Sequence, residues 1–244
     1  ICFWGNNLLI TLAIMLNKDF ITDLFFDLDH TLWDFEKNSF LTFKKIFDKL
    51  NINLSVEDFI QEYRPINHLM WAKYRKNLIS QEELRYVRLE KTFALMKYDI
   101  DSKKISDISD LYIKYLSTFP YLFPGTIDLL RNLHKRYNLH IITNGFKKIQ
   151  DKKLKSSRIL GFFKNIFTSE DIGYKKPHPL IFKKALESSS TSPHSALMIG
   201  DNLEVDILGS LNSGMQAIHF NSNNEPLHDH CIIINDIDEI LNFL

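Results

Sequence analysis

The chain has 244 residues, enough for one large domain or for a core domain with a smaller insert. Hydrophobic residues make up 45% and charged residues 25%, and 30 Lys plus Arg balance 30 Asp plus Glu. These values exclude a disordered chain and argue against a strongly basic nucleic-acid binder or an acidic tail. The two cysteines, Cys2 and Cys231, cannot by themselves build a disulfide framework or a structural zinc site, and they point to a reducing compartment.

An apolar run from Leu8 to Leu16 opens the chain. It is shorter than the ~20 residues a spanning helix needs. No Lys or Arg precedes Lys18 and no Ala-x-Ala follows, so a secretory signal is not indicated. Met15 stands just before a polar turn and the first strand. Residues 1–16 are therefore expected to lie outside the fold, those before Met15 being an upstream extension of the reading frame. No membrane attachment is expected, and without an export signal a cytoplasmic location is.

Thr22 to Asp27 is a short apolar run closing on a carboxylate, the pattern of a buried parallel strand. A helix is predicted from about Phe35 to Leu50, with Phe40, Phe43, Ile46, Phe47 and Leu50 on one face. Residues 55–117 read as helical. Ser80-Gln81-Glu82-Glu83 is a capping box, and Tyr63-Arg64-Pro65 is expected to break a helix. After Phe123-Pro124-Gly125 helices and strands alternate. Helices are predicted at Thr126–Tyr137, Ile149–Leu160 and Leu180–Ser188. Strands are predicted at Leu139–Thr143, around Ile166-Phe167, at Ala196–Gly200, at Gln216–Phe220 and at Cys231–Ile234. This is a doubly wound parallel α/β sheet with an all-helical insert after the first strand. In such sheets ligands bind at the carboxyl ends of strands, where Asp27, Thr143 and Asp201 fall.

Asp27 and Asp29 flank Leu28 just past the first strand, so both can face one crevice. Two carboxylates that close suggest a nucleophile beside an acid/base and a hard cation such as Mg2+. Solvated loop residues are the plain alternative. Asp201 follows Gly200 at another strand end, with Asp206 about a helical turn later. A third carboxylate could complete a metal site, whereas helix N-capping would explain Asp201 alone. Thr143-Asn144-Gly145 offers a hydroxyl and backbone N–H groups to a phosphate, or is an ordinary turn. Lys175-Lys176-Pro177 offers an ammonium, and chemistry alone does not choose between the two lysines. In the insert, Asn67, Trp71 and Tyr74 lie at helical spacing, as cap core or as a wall for a base or sugar. His228-Asp229-His230-Cys231 lacks a second ligand cluster and reads as an exposed loop.

As an ordered set, Asp27-x-Asp29-x-Thr31, Thr143, Lys176-Pro177 and Gly200-Asp201-x4-Asp206 resemble the four signatures of the haloacid dehalogenase (HAD) superfamily. The match runs from about Asp23 to the C-terminus. The resemblance implies a HAD-like core of residues 17–33 and 120–244, with residues 34–119 as a helical type-one cap. It implies phosphoryl transfer in which Asp27 is the nucleophile and Asp29 the acid/base, with Thr143 and Lys176 on phosphoryl oxygens. Mg2+, with Mn2+ able to substitute, would be held by Asp27, the backbone carbonyl of Asp29 and Asp201. Asp206 would orient metal waters or Lys176. Asp29 argues against dehalogenases, which lack an acid two residues past the nucleophile. Phosphoglycolate and sugar-phosphate phosphatases and phosphomutases share these signatures and remain open. A phosphoacceptor signalling module is the reading from another class.

The stretch Phe26 to Ser39, with His30, Trp33 and Phe35, is similar to the opening of the YjjG-type pyrimidine 5′-nucleotidases. Thr143 to Phe146 and Gly173 to Pro177 are also similar to that group. This implies a pyrimidine nucleoside 5′-monophosphate as substrate, with Asn144 beside the phosphate site. Trp33, Asn67 and Trp71 are then candidates for the walls around the base. The expected partner is a small phosphorylated metabolite, not a nucleic-acid polymer, handled by a monomer or homodimer.

Overall fold

In the computed structural model, residues 16–244 are described. The expected extension before Met15 lies outside the described residues, and Cys2 with it. The chain divides into two compact units. One comprises the described residues up to Leu32, Phe123–Thr143 and Gly161–Leu244; the other comprises Trp33–Leu122 and Asn144–Leu160.

The first unit holds six strands: β1 (Asp23–Phe26), β2 (Asn138–Thr143), β3 (Asn165–Thr168), β4 (Ala196–Gly200), β5 (Gln216–Phe220) and β6 (Ile232–Ile234). They form one parallel sheet in the order β3-β2-β1-β4-β5-β6. Every strand read from the sequence is present. The reason is visible in β1 and β4, where Leu24, Phe25, Phe26, Leu197, Met198 and Ile199 are fully buried. A parallel strand covered on both faces must be apolar throughout, and each such side chain contributes about 1.5–3 kcal/mol on burial. Phe25, Ile142 and Met198 pack against Ile181, Phe182 and Ala185 of α8 (Pro179–Ser189).

Because β1 lies between β2 and β4, the strand order reverses beside it, and a crevice opens past the carboxyl ends of β1 and β4. The register pairs Phe26 with Ile199, so Asp27 and Asp201 emerge almost level. The unit also contains α5 (Thr126–Leu133), shorter than expected, and the single turn α7 (Ser169–Ile172). After β4 the chain makes a π-helical turn, Leu203–Leu208, and runs into α9 (Gly209–Leu211).

The second unit is built from α1 (Phe35–Leu50), α2 (Val56–Arg75), α3 (Gln81–Leu95), α4 (Ser102–Leu116) and α6 (Lys147–Ser156). The capping box of α3 forms: the Glu83 amide donates to Ser80 Oγ at 3.1 Å and the Ser80 amide donates to Glu83 Oε2 at 2.7 Å. Phe43, Phe59, Tyr63 and Tyr112 form a connected aromatic core, with ring centroids 4.7–4.9 Å apart around Phe43.

One expectation is corrected here. Pro65 does not break a helix; it lies inside α2. Pro65 and Gln61 are both exposed, so water can serve the Gln61 carbonyl that loses its N–H partner. Residues 144–160 group with the helical unit. Phe146 and Ile149 bury against Met70, Tyr74 and Leu84, which ties this stretch to the helical unit. Among the described residues no helix is long and apolar enough to cross a membrane.

Candidate active site

Past the end of β1, the Asp27 amide still donates to the Ile199 carbonyl at 2.9 Å, which carries the sheet's rigidity to the first carboxylate. Leu28 is fully buried, while Asp29 is half-buried. The chain then turns through His30, with φ of 63°, and Leu32 closes the turn by donating to the Leu28 carbonyl at 3.0 Å. Thr31 Oγ1 donates to Asp201 Oδ1 at 3.3 Å.

At the end of β4 the N-cap duty falls to Asn202, whose side chain accepts from the Val205 amide at 2.9 Å. Asp201 is therefore not the cap. Asp206 returns over the strand end, where Oδ2 accepts from the Asn202 amide at 3.1 Å. Gly200 permits this approach, since a Cβ there would sit 2.4 Å from Asp206 Cβ. Carboxylate oxygens of Asp27, Asp201 and Asp206 lie within 4.8 Å of one another, and all three residues are buried.

The loop before α8 supplies the counter-charge. Lys176 is 1% exposed. Its Nζ donates to Asp27 Oδ1 at 2.6 Å and to the Ile142 carbonyl at 2.7 Å, and it pairs with Asp206 Oδ1 at 2.7 Å. Those three acceptors match the three N–H groups of an ammonium. The geometry thus selects Lys176 over the half-buried Lys175, which the chemistry of the sequence left undecided. Thr143 is buried at the end of β2, one residue past that Ile142 carbonyl.

Burial pushes the Asp27 carboxyl up to about 7; Lys176 opposes the shift, while Asp206 and Asp29 add to it. Burial likewise holds Asp201 well above the usual carboxylate range, reinforced by Asp206 and Asp27. Burial disfavours the Lys176 ammonium, but Asp206 and Asp27 overcome this and raise its pKa above the ordinary lysine value. Ionised together, three carboxylates and one ammonium carry two net negative charges. A divalent cation would offset that excess, and an all-oxygen donor set fits Mg2+ or Mn2+ rather than a thiophilic metal. Lys176 and the Asn202 amide already engage the Asp206 carboxylate.

The remaining candidates lie in the helical unit. Trp33 is fully buried, and the Lys153 ammonium stands 4.2 Å over its ring. Trp71 is half-buried and stacks on Phe146 at 5.6 Å. Asn67 accepts from Arg88 Nη1 at 2.8 Å and from the Tyr63 hydroxyl at 3.3 Å. Asn144 is half-buried just ahead of α6. The sequence reading missed Arg88 and also Asn223, which donates to Asp201 Oδ2 at 2.7 Å. Arg88 follows Leu84 by four residues and so shares its helix face, a signal that could have found it, whereas nothing local marked Asn223.

A family model described as haloacid dehalogenase-like hydrolase matches residues 24–220. The chain is 31% identical over 204 residues to the HAD-hydrolase YfnB of Bacillus subtilis, covering 83% of this chain and 85% of that one. A magnesium-bound crystal structure of YfnB matches with a TM-score of 0.82 at 29% identity, over 91% of this chain and 97% of that one. The pyrimidine 5′-nucleotidase YjjG of Escherichia coli is 30% identical over 200 residues, 82% of this chain and 85% of its own. The pyrimidine 5′-nucleotidase PynA of Streptococcus pneumoniae is 30% identical over 207 residues, 84% and 86% of the two chains. With its parallel sheet, its strand-end aspartates and these relatives together, the chain belongs to the haloacid dehalogenase-like hydrolase family.

Proposed function

We propose that the protein is a Mg2+-dependent phosphomonoester hydrolase that works through an aspartyl-phosphate on Asp27, with pyrimidine nucleoside 5′-monophosphates as its substrates. The observation that carries the reading is Asp27 itself. It is a buried carboxylate aligned by Lys176 at 2.6 Å, grouped with Asp201 and Asp206, with a second acid two residues on.

In the first half-reaction an Asp27 oxygen attacks phosphorus, the P–O bond to the nucleoside breaks, and Asp29 gives its proton to the departing alkoxide. In the second, the Asp29 carboxylate takes a proton from water, the hydroxide attacks phosphorus, and inorganic phosphate leaves with Asp27 restored. Lys176 keeps Asp27 oriented, and Thr143 offers its hydroxyl to a phosphoryl oxygen. Asp27, Asp201 and the Asp29 backbone carbonyl would hold the cation, with Asp206 acting through Lys176 and Asn202. When bound, Mg2+ supplies positive charge that offsets the phosphoryl oxygens and the attacking carboxylate. Asp29 disfavours carbon–halogen chemistry, and with water as the second acceptor the phosphoenzyme turns over rather than persisting as a signal.

The substrate class rests on similarity to two proteins named as pyrimidine 5′-nucleotidases and on the stretch Phe26 to Ser39. Phosphate release from deoxyuridine, thymidine and uridine monophosphates should be compared with release from phosphoglycolate and sugar phosphates, with Mg2+ and after chelation. We expect the nucleotides to lead in kcat/KM by about tenfold or more, the worth of roughly 1.4 kcal/mol in differential binding. If a sugar phosphate ranks first, the nucleotidase reading fails. Full activity after exhaustive chelation would end the metal-dependent one.

A further inference from the structure

The Asp201 loop is gripped by the segment that follows β5. After Phe220 the chain makes a polar turn, Asn221-Ser222-Asn223-Asn224-Glu225. Asn221, 7% exposed, braces this turn: its Nδ2 donates to the Glu225 carbonyl at 2.9 Å and its Oδ1 accepts from the Glu225 amide at 2.6 Å. From that frame three side chains reach the loops that carry the aspartates. Ser222 Oγ donates to the His30 carbonyl at 2.7 Å. Asn223 Nδ2 donates to Asp201 Oδ2 at 2.7 Å. Glu225 accepts from the Leu203 amide at 3.0 Å and from Asn202 Nδ2 at 3.4 Å.

A fourth side chain comes from β5. Buried His219 donates through Nε2 to the Asp201 carbonyl at 2.9 Å. In the neutral ring that leaves Nδ1 to accept from His228 Nε2, 2.9 Å away. Asp201 is thus fixed at three oxygens: Thr31 on Oδ1, Asn223 on Oδ2 and His219 on the main-chain carbonyl. A carboxylate in this setting is only as good a ligand as its orientation, and groups that orient a ligand are worth roughly 10–100-fold in metal affinity.

We infer that Asn223 is a positioning residue for the divalent cation, aiming the Asp201 carboxylate from a clasp formed by residues 219–225. The inference rests on the Mg2+ reading of the proposed function and deepens it. An amide suits the task chemically. It donates a hydrogen bond without adding charge, whereas Asp would bring another negative group to the cluster and Lys would neutralise part of its pull on a cation. Asn223 is exposed, so its truncation removes an orienting contact and little buried surface.

The test is a Mg2+ titration by isothermal calorimetry on the metal-stripped full chain, for wild type, Asn223→Ala and Leu227→Ala. Leu227 lies on the same loop and is 83% exposed. We expect Asn223→Ala to raise the Mg2+ Kd by about 10–100-fold while Leu227→Ala stays within about twofold. The Mg2+ concentration for half-maximal phosphate release should rise in step, while kcat at saturating Mg2+ stays within about threefold of wild type. Wild-type affinity in Asn223→Ala overturns the inference, as does equal weakening by Leu227→Ala. If the wild type itself binds no Mg2+, the failure belongs to the metal-dependent reading of the site.

Discussion

Both units bury cations, Lys176 in one and Arg88 and Lys153 in the other, and Lys176 and Arg88 are surrounded in opposite ways. In the α/β unit Lys176 has two carboxylates and a carbonyl within 2.7 Å. In the helical unit Arg88, 4% exposed, meets one amide oxygen at 2.8 Å and the rings of Tyr112 and Tyr63 at 5.0 and 5.7 Å. Close, charged partners hold an atom in a defined place, which suits the nucleophile role proposed for Asp27. Aromatic faces hold a guanidinium with less directional force, which serves packing. One unit concentrates charge at strand ends where the sheet is rigid; the other spreads it through an aromatic core.

The contrast is most easily broken at Asp27. Asp27→Asn should reduce phosphate release by about 10⁴-fold or more, since a residue acting as nucleophile is not replaced by its neighbours. The melting temperature should stay within a few degrees, because the amide keeps the shape. Loss of the fold in this variant would mean that the charged cluster is structural after all.

The aromatic core should answer the other way. Phe59 is fully buried, with Phe47, Phe93 and Phe43 rings at 4.8–5.0 Å. Phe59→Ala should lower stability by about 3–5 kcal/mol, read from urea unfolding of the helical unit. Below the unfolding transition its Mg2+ affinity should equal that of the wild type. A changed affinity there would dissolve the division of labour between the units.

The smallest effect sharpens the comparison at the helical unit's surface. Ser80→Ala removes the exposed cap of α3 and should cost about 0.5–2 kcal/mol in the same unfolding measurement, with phosphate release unchanged. A larger loss would show that α3 depends more on its cap than on its aromatic contacts.

Much of this was legible because parallel strands buried on both faces are written as unbroken apolar runs. Ala196 to Gly200 and Gln216 to Phe220 match the observed β4 and β5 residue for residue. Where such a run closes on Asp27, Thr143 or Asp201, topology brings those ends to one side of the sheet. The helix at Phe35–Leu50 was equally plain from its aromatic periodicity, and the structure adds its N-cap at Asp34.

What was not legible shares a cause: local sequence names a side chain without naming its neighbours. Pro65 looked like a helix stop, yet its solvent-facing position lets α2 continue. Nothing near Trp33 announced the Lys153 ammonium over its ring, and nothing near Phe146 and Ile149 announced their packing with Met70 and Tyr74.

The sequence by itself determined the order of strands and helices, the helical insert after β1 and the carboxylates at the strand ends, because each follows from periodicity or from a residue's place within its own element. Tertiary structure alone decided that Lys176 meets Asp27, Asp206 and the Ile142 carbonyl together, that Asn202 caps the turn so that Asp201 need not, and that Asn223 reaches back to Asp201. Each of these depends on a distance of about 3 Å between residues that may be neighbours or more than a hundred positions apart, and hydrogen bonding at that range is set by how the elements pack.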